Sequence, residues 1–171
     1  MLKKINNLAP FFEDSYRSIS VREYAGLVKI SPPTASKILK EFTKEQYLQQ
    51  RGERRHLFFT LNVENETVMD LCRLYWKQKL QKLRQEFQAK LTGASGILFG
   101  SLAKAEAKTK SDVDIAIFTP ERKAIDLKPF EKQLGRKISL YWFRSLSEVQ
   151  NEHLRNNILN GMLLFGKVKW S

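Results

Sequence analysis

Residues 96–118 read GILFGSLAKAEAKTKSDVDIAIF. Two apolar segments, 97–99 and 113–118, enclose a Gly-Ser pair, which is followed by ten mostly small or charged residues and then by two aspartates one residue apart. The second segment interleaves acidic and apolar side chains with the period of a strand. Asp112 and Asp114 then share one face, while Val113, Ile115 and Ile117 supply apolar packing. Two parallel carboxylates at such close range repel each other. A divalent cation relieves that repulsion. Mg²⁺, or Mn²⁺ in its place, is hard, prefers oxygen, and binds through one or two carboxylates together with substrate phosphates. Gly100 allows close backbone approach. Ser101 offers a hydroxyl and an amide at the start of a predicted short helix, SLAKAEAK, where anions are favoured. Metal ligation falls to Asp112 and Asp114, and phosphate contact to Gly100 and Ser101.

The block 96–171 goes on alternating strand and helix. AIDLKPFEKQLG predicts a helix and RKISLYWF a strand. SLSEVQNEHLRNNILNG predicts one helix capped by Ser147, and MLLFGKVKW a closing strand. A small mixed α/β sheet follows. The motif stands as Phe99, Gly100, Ser101, ten residues, then Asp112, Val113, Asp114, Ile115. It resembles the nucleotidyltransferase superfamily of DNA polymerase beta, kanamycin nucleotidyltransferase and the CCA-adding enzymes, most nearly its small stand-alone branch, over residues 96–169. The resemblance implies a nucleoside triphosphate bound by Gly100 and Ser101, with Asp112 and Asp114 catalytic and holding Mg²⁺. It also implies attack by an acceptor hydroxyl on the α-phosphorus with release of pyrophosphate, driven by positioning and charge neutralisation. The family carries a third carboxylate on the later strand, in a segment like GRKVDLV. Here GRKISLYWF places Ser139 at that position, and serine is a poor metal ligand and a poor base at neutral pH. Asp126 or Glu148 could stand in only under a different alignment or a different local fold. Lys104, Lys108 and Lys110 occupy the stretch where many relatives carry an Arg-Gly pair.

The N-terminal block reads differently. Leu2, Ile5, Leu8, Phe11 and Phe12 recur at helical spacing, interrupted by Pro10. SVREYAGLVKI opens with the capping-box pair Ser20 and Glu23, with Val21, Tyr24, Ala25 and Val28 as its buried stripe. SPPTASKILKEF opens a second helix, with Ser31 as N-cap and Pro32 at the first helical position. Ala35, Ile38, Leu39 and Phe42 face inward, leaving Thr34, Ser36, Lys37 and Lys40 outward. YLQQRGERRHLFFTL predicts two short strands around a basic loop containing Gly52. This order resembles a winged helix-turn-helix of the bacterial and archaeal transcription-regulator branch, over residues 1–62, departing at Gln46 where many relatives have glycine. The resemblance implies duplex DNA binding. Ser31, Thr34, Ser36, Lys37 and Lys40 would enter the major groove, and Arg51, Arg54 and Arg55 would meet the backbone or minor groove.

Residues 65–92 predict one long helix with a stripe of Val68, Cys72, Trp76, Leu80, Leu83, Phe87 and Leu91, closed by Gly93. The stripe buries either between the two domains or in a homodimer. The expected class is α+β: a DNA-binding domain at 1–62, a linker helix at 63–95 and a nucleotidyltransferase-like domain at 96–171. Lys and Arg outnumber Asp and Glu by 30 to 18, a net charge of +12 that favours an anionic partner, nucleic acid or nucleotide before membrane. One cysteine, Cys72, excludes an intrachain disulfide, and the distant His56 and His153 argue against zinc. No apolar run approaches a membrane span, and the N-terminus lacks a signal peptide's apolar core, so a cytoplasmic protein is expected. Two functions remain open. One is an enzyme transferring a nucleoside monophosphate to a macromolecular acceptor. The other is a DNA-binding or antitoxin-like regulator whose second domain binds nucleotide or a small helical protein without efficient chemistry.

Overall fold

A computed structural model describes residues 2–53 and 56–167 of the chain. The fold divides into two compact units, Met1–Tyr75 with Ala105–Thr109, and Trp76–Lys104 with Lys110–Ser171.

The first unit runs α1 (Leu2–Glu13), β1 (Ile19–Ser20), α2 (Val21–Val28), α3 (Pro32–Lys44), β2 (Leu48–Glu53) and β3 (His56–Leu61). Its antiparallel sheet has the order β1-β3-β2. Helix α1 continues through Pro10 rather than stopping there. Ile5, Leu8, Phe11 and Phe12 are all fully buried, and this anchorage on both sides outweighs the hydrogen bond that proline removes. Both predicted caps are in place. The Ser20 hydroxyl accepts from the Glu23 N–H at 3.3 Å, and Ser31 accepts from the Thr34 N–H at 3.4 Å. Such a cap typically stabilises a helix by ~1 kcal/mol. Gly52 lies within β2, opposite Leu57, rather than in the loop. Gln46 adopts a left-handed φ of 62°, the conformation glycine usually serves. Its carbonyl accepts from the side-chain amides of Asn62 at 2.8 Å and Asn65 at 3.0 Å, which holds the turn without glycine.

The helix expected over 65–92 is two helices, α4 (Glu66–Lys79) and α5 (Gln81–Lys90). The break falls at Leu80, with φ −88° and ψ 8°. The Leu80 N–H still reaches the Trp76 carbonyl, and the Arg84 N–H reaches that of Leu80, both at 2.9 Å. The apolar period therefore survives the break, which is why the periodicity does not reveal it. Every residue of the stripe from Val68 to Leu91 is buried, Cys72 included. No described helix is long and apolar enough to cross a membrane.

The second unit carries β4 (Ser95–Phe99), β5 (Val113–Phe118), α6 (Lys128–Leu134), β6 (Ile138–Phe143), α7 (Glu152–Leu159) and β7 (Met162–Phe165). The four-stranded sheet has the order β6-β5-β4-β7. Strands β5 and β6 run parallel and the other pairs antiparallel. On one face Ile97, Phe99, Ala116 and Phe118 pack with Val149 and Ile158. On the other, Leu98, Val113, Ile115 and Ile117 are buried, and Phe87 of α5 meets Phe165 at 5.5 Å.

Two helix expectations change here. SLAKAEAK forms only a three-residue 3-10 turn, Gly100–Leu102. Ala105 turns left-handed at φ 54°, and the Ala107 carbonyl accepts from the Ser15 N–H at 2.7 Å. A non-local backbone partner thus overrides the helix propensity of the alanines. The segment read as one helix capped by Ser147 is a short 3-10 turn, Leu146–Glu148, followed by α7. Asn151, not Ser147, caps α7, accepting from the Leu154 N–H at 2.9 Å. The closing strand ends at Phe165, and the rest of its predicted span from residue 168 on lies outside the described residues.

Candidate active site

Strand β5 sits between β4 and β6, and its register sets the site. Phe99 pairs with Asp114, and Asp114 pairs with Ser139. Alternation puts Asp112 and Asp114 on one face of the sheet, half-buried, with Ala116 and Phe118 continuing that face into the core. Gly100 follows Phe99 directly. It has φ 73°, and a Cβ placed on it would lie 2.9 Å from Asp114 Oδ2. Glycine is therefore required twice, for the left-handed backbone and for the carboxylate packed against it. Ser101 sits half-buried in the 3-10 turn. A turn this short has no helix dipole to offer, so any anion there would depend on backbone N–H groups and the Ser101 hydroxyl.

The two carboxylates are held by neighbours on β6. Ser139 Oγ donates toward Asp112 Oδ2 at 3.4 Å, and Tyr141 Oη toward Asp114 Oδ1 at 3.5 Å, both at the long end of hydrogen bonding. The Tyr141 ring packs edge-on against Phe99, with centroids 5.2 Å apart. Burial pushes the Asp114 carboxyl above its ordinary range. The Asp112 charge adds to the rise, and the Tyr141 hydrogen bond opposes it. The Tyr141 hydroxyl is raised by burial and then by the same two charges. The backbone around Asp112 is clamped from both sides. The Val113 N–H donates to the Lys137 carbonyl at 2.8 Å, and Arg136 Nη1 donates to the Ser111 carbonyl at 2.8 Å. Arg136 is only 6% exposed and lies over the Trp76 ring at 5.1 Å.

Residues 80–164 match the family model of the nucleotidyltransferase domain. This part of the chain is therefore similar to a nucleotidyltransferase domain. No curated protein and no solved structure matches the chain.

Within the matched region, the pair Asp114–Ser139 puts a hydroxyl where the resemblance leads one to expect a third carboxylate. Neither proposed substitute joins the site. Asp126 caps the start of α6 through the Lys128 N–H at 3.1 Å, and Glu148 accepts the Arg144 N–H at 2.7 Å. Among the described residues no group of three acidic, histidine or cysteine side chains is placed to hold a metal. The two aspartates still fit one hard cation. They are adjacent, oxygen-only and mutually repelling, and repulsion is what such an ion removes. Of the lysines between Ser101 and Asp112, Lys104 Nζ donates to Asn157 Oδ1 at 2.6 Å.

Tyr141 and Arg136 are absent from the sequence-derived site. Tyr141 was detectable in principle, because Ser139 and Tyr141 alternate on β6 as Asp112 and Asp114 do on β5. Arg136 gave no signal, since only the fold brings its guanidinium to Ser111. In the first unit, Ser31, Thr34, Lys37 and Lys40 of the α3 segment are exposed and Ser36 is half-buried. Arg51 is exposed on β2 and pairs with Glu53 at 3.2 Å. Arg54 and Arg55 lie outside the described residues.

Proposed function

We propose that the chain binds a Mg²⁺–nucleoside triphosphate at Gly100, Ser101, Asp112 and Asp114, and binds duplex DNA through a winged helix-turn-helix at residues 1–62. On this reading it transfers a nucleoside monophosphate slowly to a macromolecular acceptor. The observation that carries the nucleotide site is the packing of Asp114 against Gly100, with a carboxylate oxygen 2.9 Å from the glycine's missing Cβ. The turn that would take the phosphates and the carboxylate that would take the metal are thus in direct contact. The metal supplies charge neutralisation on the triphosphate. The protein's own share is positioning. Arg136 and the Lys137 carbonyl fix the backbone around Asp112, and Tyr141 orients Asp114. In transfer, a bond forms between the acceptor oxygen and the α-phosphorus while the bond to pyrophosphate breaks. With Ser139 in place of an acid, the acceptor's proton goes to solvent rather than to a side-chain base.

For the first unit the support is its element order and the exposed hydroxyls and lysines of α3. The hairpin adds an arginine on its solvent side. A second reading is favoured by Ser139: a regulator, or antitoxin-like partner of a small helical protein, that uses nucleotide binding as a signal. One experiment separates the two. Nucleoside triphosphates are titrated with and without Mg²⁺, and label transfer is then timed on nucleic-acid and protein acceptors. Mg²⁺-dependent binding with transfer supports the enzyme. Binding without transfer supports the regulator, and no binding removes the nucleotide site. For the first unit, duplex affinity should fall linearly with log salt. Arg51→Ala should reduce that slope by about 0.9 if Arg51 contacts a phosphate.

A further inference from the structure

At the end of the β5–β6 pair opposite the aspartates lies a cleft of about 450 Å³. Its walls include Arg122, Trp142, Phe143, Arg144 and Glu148. The base of the cleft is firmly built. The Phe143 ring packs on Phe118 with centroids 5.9 Å apart, and the Thr119 N–H extends the ladder to the Phe143 carbonyl at 2.9 Å. Arg122 Nη2 donates to the Trp142 carbonyl at 3.3 Å, which holds one guanidinium at the Trp142 backbone. Arg122 and Arg144 are exposed, and Trp142 is half-buried. Among the described lining residues Glu148 is the acidic one, its carboxylate accepting the Arg144 N–H at 2.7 Å.

We propose that this cleft is a subsite for single-stranded nucleic acid, with a base stacked on Trp142 and a phosphate held by Arg122 and Arg144. This rests on reading the domain as a nucleotidyltransferase with a macromolecular acceptor, and it makes that acceptor a nucleic-acid strand. Guanidinium groups match phosphate geometry, and an aromatic face accepts any base. From Asp114 to Thr119 the strand advances about 16 Å at ~3.3 Å per residue, farther than the phosphate chain alone of a nucleotide seated at Gly100 extends. A few nucleotides of an acceptor strand cover that distance.

The test uses the full chain and a short fluorescein-labelled oligoadenylate, read by anisotropy across a salt series. Trp142→Ala should weaken binding roughly tenfold or more, and Trp142→Phe should keep most of the affinity. Arg122→Gln with Arg144→Gln should lower the salt slope by about 0.7 per lost phosphate contact. Glu148→Gln retains the acceptor for the Arg144 N–H and removes the negative charge, so it should tighten binding. The duplex affinity and the Mg²⁺–nucleotide response should stay at wild-type levels in all four variants. Trp142→Phe and Glu148→Gln keep the result readable if Trp142→Ala fails to fold. Oligoadenylate binding that ignores the arginine pair and Glu148 overturns the proposal, as does an acidic peptide that displaces the oligonucleotide and shows the same variant profile more strongly. A mononucleotide that competes equally well at equal phosphate concentration also overturns it, since the cleft would then hold a free nucleotide rather than a strand. Failure of the Asp112 and Asp114 variants to change Mg²⁺–nucleotide binding would sink the catalytic reading while leaving this readout intact, so the two fail separately.

Discussion

At one end of the β5–β6 pair, Asp112 and Asp114 stand beside Ser139 and Tyr141. At the other, Arg122 and Arg144 flank Trp142. The two ends treat charge differently. The arginines are exposed and keep their hydration, and Glu148 lies among them. They cost the fold little. The aspartates are half-buried side by side on one face, and Asp114 is raised by both burial and repulsion. Nothing in the second unit's packing needs that repulsion: Ala116 and Phe118 already secure the same face of β5. A cation bound there, as proposed above, would remove that repulsion. The basic end, already comfortable in water, suits an optional and salt-sensitive partner.

The largest effect should come from breaking the acidic end outright. Asp112→Asn with Asp114→Asn should abolish Mg²⁺-dependent nucleotide binding and leave the fold intact. In the wild type, saturating Mg²⁺–nucleotide at ~100 Kd should stabilise the chain by about 2.7 kcal/mol in thermal unfolding. The double variant should show no such gain, with circular dichroism unchanged. An identical ligand response in both proteins would remove the carboxylates from the site.

How far this contrast was readable in advance depends on what each feature rests upon. The acidic end was legible because strand alternation alone puts Asp112 and Asp114 on one face, and the Gly100–Ser101 turn is local. The caps at Ser20 and Ser31 are equally local, and both formed. What escaped the sequence is non-local. SLAKAEAK has helix propensity, yet the Ala107 carbonyl is taken by Ser15, so the chain turns instead. The break at Leu80 leaves the apolar period unchanged. The clamp of Arg136 on Ser111 exists only once β6 lies beside β5, and the same holds for Tyr141 on Asp114. The cap of α7 escaped for a different reason. Ser147 and Asn151 are both good caps, and nothing local ranks one above the other.

The next effect in size sharpens the contrast by adding charge to the acidic end. Ser139→Asp would place a third carboxylate beside Asp114, its partner in the ladder. If the missing acid limits transfer, the rate should rise by roughly 10²–10⁴ with Mg²⁺ present, the usual worth of a general base. In chelator the sign should reverse, because three carboxylates repel more than two and the variant should melt below wild type. A wild type that already transfers fast, with no gain from Ser139→Asp, would mean that the acceptor proton has another route.

A smaller change tests the contact between turn and carboxylate. Gly100→Ala must bear a left-handed backbone and a Cβ 2.9 Å from Asp114 Oδ2. The backbone alone costs ~1–2 kcal/mol. Gly135→Ala is the matched control, with φ 65° and open space around its Cβ. Both variants should lose similar stability from the backbone. Only Gly100→Ala should also weaken Mg²⁺–nucleotide binding, because it moves Asp114. Equal binding in the two would show that the Gly100 contact is packing alone.

The smallest effect has the most specific sign. Burial, and then the Asp112 charge, raise the Asp114 pKa in the folded state above its unfolded value. A raised carboxyl favours folding when protonated, and that contribution is lost as pH rises through the folded value. At neutral pH the wild type therefore carries a penalty that Asp114→Asn removes. The variant should be more stable there. Its Oδ1 can still accept from Tyr141, so the hydrogen bond is kept. Below the ordinary aspartate range the wild-type carboxyl is neutral in both states, and the two proteins should melt together. Saturating Mg²⁺–nucleotide at neutral pH should invert the order, because the ion stabilises only the wild type. Urea unfolding at three pH values, with and without the ligand, reads all of these signs. A variant less stable at neutral pH without ligand would mean that Asp114 supports the fold, and the contrast between the two ends of the strand pair would lose its physical basis.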